Sequence, residues 1–136
     1  MGRWKRPASE AAAAPEKHIV ANADEGDAGA YIDRFILEKD PHRLIEAMAI
    51  AGHAVGASRG WIYLRREYPA AAPVLRRALE EARAGGFLGP NVAGGASSFD
   101  IELHIGRGSY LCGEETALLA AIEGRRPAPA PPALRY

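Results

Sequence analysis

The stretch Phe99-Asp100-Ile101-Glu102-Leu103-His104-Ile105 (FDIELHI, 99–105) runs directly into GRGSYLCGEET (106–116). The first seven residues alternate strictly. Phe99, Ile101, Leu103 and Ile105 are apolar, and Asp100, Glu102 and His104 are polar. Period two predicts a half-exposed β-strand. The glycine segment then gives way to an apolar run, which predicts a short helix over Glu114 to Ile122. Strand, glycine turn and helix are the first pieces of a βαβ unit. Gly108 and Gly113 have the spacing of a nucleoside-triphosphate loop, but Glu114 and Glu115 stand where that loop carries Lys and Ser or Thr.

Working back along the chain gives the rest of the fold. His18-Ile19-Val20-Ala21 predicts a strand that ends in the acidic turn Asn22-Ala23-Asp24-Glu25-Gly26-Asp27. Pro41 to Ala57 has apolar residues at Leu44, Ile45, Met48, Ala51 and Val55, with Asp40 placed to cap and Pro41 at the first helical position. Gly60 is expected to end that unit, and Trp61-Ile62-Tyr63-Leu64 to form the next strand. Ala70 to Ala84 reads as a helix with Val74, Leu75, Leu79 and Ala82 on its apolar face, stopped by Gly85-Gly86. The order β-α-β-α-β-α predicts an α/β domain with a mainly parallel sheet and flanking helices. Residues 1–16 read as a loose arm, 17–126 as the domain, and 127–136 as a proline-rich tail.

Composition narrows the function. The 136 residues include 17 basic and 17 acidic side chains, so formal net charge is zero. That offers no electrostatic case for nucleic acid or an anionic membrane surface. No apolar run approaches a membrane span. The Ala-rich start is broken by Glu10, Pro15 and Glu16, unlike a signal peptide, so the cytoplasm is the expected location. The single cysteine, Cys112, excludes an internal disulfide and any cluster that needs four cysteines from this chain.

Ligands of such sheets sit beyond the carboxyl ends of the strands. Both unusual loops, NADEGD and GRGSYLCGEE, fall at that edge. Glu114 and Glu115 suit a helix dipole but repel phosphate. They either stabilise the helix start or accept hydrogen bonds from a neutral donor such as a sugar hydroxyl or a ring N–H. Asn22, Asp24, Glu25 and Asp27 either form an Asx-type turn or bind hydroxyls or a divalent cation. His53 is expected as a core residue of its helix, and Arg65-Arg66-Glu67 and Arg76-Arg77 as solvated faces.

Together NADEGD (22–27), DPHRLIEAM (40–48) and GSYLCGEETALL (108–119) resemble the flavin-bearing subunit of NADH:ubiquinone oxidoreductase, respiratory complex I. They are equally similar to flavin subunits of NAD-dependent formate dehydrogenases and bidirectional hydrogenases. The resemblance runs from about Lys17 to Arg126. It implies a Rossmann-like fold holding FMN and a stacked NADH, with hydride transfer to the flavin and single electrons passing onward. Iron–sulfur clusters would lie outside this chain, in partner subunits. The resemblance places Asn22, Asp24 and Glu25 on the flavin and Asp27 near NADH. It sets Tyr110, Gly113 and Glu114 against the flavin, and Glu115 by the flavin–nicotinamide pair. The family's upstream glycine loop, of the form RGGAGFPTG, and its downstream iron–sulfur domain are not in this sequence, so the chain is expected to be a truncated central part of the FMN domain. Arg107, Ser109 and Ala120-Ala121 depart from the complex I wording and favour the formate dehydrogenase or hydrogenase branch. The alternative is a non-catalytic α/β remnant or assembly module that docks onto a partner.

Overall fold

The computed structural model of the chain describes residues 16–26, 29–106 and 115–124. The elements are β1 (His18–Ala23), α1 (Ile32–Lys39), α2 (Pro41–Val55), β2 (Arg59–Leu64), α3 (Ala71–Ala84), β3 (Asp100–Ile105) and α4 (Glu115–Ile122). A short 3-10 turn, Val92–Gly94, precedes β3. The three strands form one sheet in the order β1-β2-β3, and both pairings are parallel. This is the α/β architecture expected from the alternation of strands and helices.

Side chains alternate across the sheet, so β1 and β2 feed two cores. Ala23, Ile62, Leu64 and Ile101 share one core with Leu37 of α1, Ile45 and Met48 of α2, and Leu75 and Leu79 of α3. Tyr63 points the other way and packs with Leu118 of α4, flanked by Val20 and Ile122. Among the described residues, Tyr63, Ile62, Leu64, Leu75 and Ile101 are the largest fully buried side chains.

The helix ends follow glycine chemistry. Gly56 takes a left-handed φ of 71° after α2. Ala57 N–H then bonds Gly52 O at 2.8 Å and Gly56 N–H bonds His53 O at 3.3 Å, the paired bonds of a Schellman stop. Gly86 does the same after α3, with φ 75° and Phe87 N–H on Ala82 O at 2.9 Å. Asp40 stands at the N-cap position of α2 but makes no side-chain cap bond there; Pro41 occupies the first turn as expected.

Several expectations are corrected. Gly60 does not end a helical unit; it lies inside β2, and Gly56 is the stop. The first strand continues through Asn22 and Ala23. The helix α1 was not foreseen, because its eight residues bury only Leu37 and carry no side-chain cap. His53 is exposed rather than in the core. The buried face of α2 is Ile45, Met48 and Gly52, so Val55, assigned to that face from spacing, is exposed.

Gly52 and Gly60 have a shared cause. A Cβ at Gly52 would lie 2.6 Å from Cε2 of Phe99, and one at Gly60 would lie 2.9 Å from its Cζ. Phe99 is itself 3% exposed, so the clash would fall inside the packed core. Alanine at 52 gains helix propensity of about 1 kcal/mol but overpacks a closed core at a cost of about 1–3 kcal/mol. Gly52→Ala is therefore expected to lower unfolding stability by about 1 kcal/mol in urea titration. Trimming the ring with Phe99→Leu should make the same alanine cheaper. An unchanged or higher midpoint for Gly52→Ala would remove this account.

Candidate functional site

The parallel register aligns Ala23, Leu64 and Ile105 as the last paired residues of their strands. The ladder continues one step past them. Arg65 N–H donates to Ala23 O at 3.1 Å, and Gly106 N–H donates to Leu64 O at 2.8 Å. The segments after β1, β2 and β3 thus leave the sheet at one carboxyl edge, the place where such sheets bind ligands.

The turn after β1 is tied to Asn22, the second-last residue of the strand. The Asp24 N–H donates to Asn22 Oδ1 at 3.1 Å, an Asx-type turn. Asn22 is exposed, and Asp24 and Glu25 are half-buried. Burial is the main cause that raises the Asp24 carboxyl above its ordinary 3.8; Arg65 pulls it back and Glu67 adds to the rise. On α1, burial and then the charge of Glu25 raise the Asp33 carboxyl. The first turn of α1 therefore faces the same acidic segment.

Glu25 is held from the β2–α3 connection. Arg65 Nη1 donates to the Glu25 backbone carbonyl. Tyr68 Oη donates to Glu25 Oε2 at 3.2 Å. Arg65 Nε also pairs with Glu67 Oε2 at 3.1 Å. Arg65 and Tyr68 were missed by sequence reading, which placed Arg65 on a solvated face. Their signal was positional: each follows the strand that pairs with β1. Arg66 is exposed as expected, as are Arg76 and Arg77, the latter pairing with Glu81 at 3.3 Å.

After β3 the first glycine has a reason unrelated to any ligand. A Cβ at Gly106 would lie 2.6 Å from the Tyr63 hydroxyl, so glycine is needed to pass over that ring. His104 stacks on the same ring at 5.3 Å. The chain then returns as α4, whose Leu118 and Ile122 pack with Tyr63 and Val20. That is the sheet face to which Asn22 also belongs by alternation.

Of the residues expected to form the site, Asn22, Asp24 and Glu25 stand together at this edge. Asp27, Tyr110, Gly113 and Glu114 lie outside the described residues, and Glu115 opens α4 with its side chain not described. Among the described residues no group of three His, Cys, Asp or Glu could hold a metal ion. No helix among them is long and apolar enough to cross a membrane. The acceptors at the edge, an exposed amide and half-buried carboxyls, suit hydroxyl and ring N–H donors. They do not suit phosphate.

Comparison with known proteins gives the same direction. The chain is 52% identical over 116 residues to the NADP-reducing hydrogenase subunit HndC of Solidesulfovibrio fructosivorans, a match covering 85% of this chain and 24% of that protein. It is 49% identical over 112 residues to an NADH-quinone oxidoreductase subunit of Aquifex aeolicus, covering 81% of this chain and 26% of that one. The chain therefore spans about a quarter of the length of these relatives. The fold superposes on an NAD+-reducing NiFe-hydrogenase crystal structure with a TM-score of 0.77 at 36% identity, covering 87% of this chain and 20% of that one. The Nuo51 FMN-binding domain matches residues 3–135, and the chain belongs to that family.

Proposed function

We propose that this chain is the part of an NADH-oxidising module that holds the sugar and ring portions of FMN at the carboxyl edge of its sheet. The observation that carries this reading is the joining of Asn22, Asp24 and Glu25 at that edge, with Arg65 and Tyr68 behind them. Asn22 and Asp24 offer acceptors to ribityl hydroxyls and to the ring N–H. By the same reading Asp27 lies near NADH, Tyr110, Gly113 and Glu114 against the flavin, and Glu115 by the flavin–nicotinamide pair. The chemistry a bound flavin supplies is hydride acceptance from NADH and one-electron release to iron–sulfur centres in partner subunits. What the chain supplies is position and a negative field around the ring. The setting is the cytoplasm, within a larger oxidoreductase complex.

The reading is tested by titrating the full chain into FMN. Saturable quenching of flavin fluorescence is the expected result, and free flavin emission at all protein concentrations would overturn it.

Asp24 links binding to stability. Its raised pKa means that folding favours the protonated acid. The stabilisation is fully present below 3.8 and is lost as pH rises through the higher folded value. At neutral pH the carboxylate is therefore a cost. Asp24→Asn is expected to raise the thermal midpoint at neutral pH and to lose that advantage below 3.8, where the parent acid is protonated too. The same variant should weaken FMN binding by about tenfold, the worth of one charged hydrogen bond. A lower midpoint at neutral pH would show that the carboxylate stabilises the fold instead.

A further inference from the structure

Arg65, Glu67 and Tyr68 are given no contact with the flavin in the reading above; their contacts are with the acidic turn and with one another. Arg65 spans two partners at once: the backbone carbonyl of Glu25 through Nη1 and the Glu67 carboxylate through Nε. Tyr68 takes the side chain of the same Glu25. Glu25 is thereby gripped at its main chain and at its carboxylate by one short connection, and that connection is fixed by the ladder bond from Arg65 N–H to Ala23 O. The loop from Asn22 to Glu25 has the Asx bond at its other end. Both ends of the acidic turn are held.

We propose that Arg65 and Tyr68 are positioning residues, and that Glu25 is the latch by which they hold the acidic turn in the shape that presents Asn22 and Asp24 to the flavin. The proposal rests on the flavin reading for its ligand, but the latch itself is a property of the protein alone. Arginine is required rather than lysine. A planar fork reaches a carbonyl and a carboxylate together, and a point ammonium on a flexible stem does not. Tyr68 is suited to donate. Burial, and then the charge and hydrogen bond of Glu25, raise its pKa above 10.0, so the hydroxyl keeps its proton. The latch also brings a cation toward Asp24, where Arg65 offsets part of the cost of burial. Glu25 on this account works through the loop and does not need to touch the ring.

Two measurements on the full chain decide it. The first uses protein without flavin. Amide hydrogen exchange at Asp24, whose N–H bonds Asn22, should be faster in Arg65→Gln by about tenfold, the loss of a charged hydrogen bond. Arg65→Lys should fall between, with an unchanged circular dichroism spectrum in both. Exchange in Arg65→Gln equal to the parent would overturn the latch. The second uses FMN fluorescence quenching. Arg65→Gln should weaken FMN by about tenfold or more. Tyr68→Phe and Glu25→Ala should each weaken it, and the double variant should be no worse than the poorer single one, because both remove one unit. Additive losses would make Glu25 a direct flavin contact and overturn its role as latch. If the parent chain does not bind FMN, the flavin reading fails while the exchange result still decides whether the latch exists.

Discussion

Everything at the candidate site depends on one constraint: the strands run parallel and end in register. Ala23, Leu64 and Ile105 stand side by side. A parallel sheet forces each connection to cross over the sheet and start the next strand from the far edge. All three segments that leave the strands must then emerge together. The acidic turn after β1, the Arg65–Tyr68 connection after β2 and Gly106 after β3 leave the sheet at one edge for that reason. The two extra ladder bonds, from Arg65 and Gly106, carry the sheet's rigidity one residue into these segments.

The two faces of the sheet divide the work. One is filled by α1, α2 and α3 around Ile62, Leu64 and Ile101. There the tight passages at Gly52 and Gly60 admit the ring of Phe99 between α2 and β2. The other face carries Tyr63, which touches two pieces of the edge. Its hydroxyl lies beneath Gly106, and its ring stacks with His104 and packs with Leu118. A buried aromatic at the end of the central strand therefore sets where the chain departs after β3 and where it lands again as α4.

What the sequence showed, and what it hid, follows from the range of each interaction. The alternation of Phe99 to Ile105 is local, and β3 was legible to within one residue. The helices over 41–55 and 71–84 were legible for the same reason, since their apolar periods are written in consecutive residues, although the stop of the first was read at Gly60 and lies at Gly56. Gly60 was misread because glycine in a strand looks like a stop; its cause is Phe99, distant in sequence. Arg65 was misread because Arg-Arg-Glu looks like a solvated run, and its partner Glu25 is forty residues away. The acidic residues stood out as a candidate site because unusual composition recurs at two strand ends, whereas the groups that hold Glu25 are ordinary residues made important only by register.

The charge arrangement favours a particular kind of ligand. Asp24, Glu25 and Glu67 gather around one guanidinium, and Asp33 faces Glu25 from α1. A surplus of acid at a partly buried edge repels phosphate and leaves carboxyls short of solvent, which is why Asp24 and Asp33 both hold their protons more tightly than free acids. A neutral ligand rich in donors relieves that cost, because each hydroxyl or ring N–H replaces water the carboxyls have lost. The Arg65 cation lies against the backbone of the turn and is paired with Glu67, so it steadies the acids without offering an anion a free partner. An edge built this way offers acceptors to neutral donors and opposes an anion.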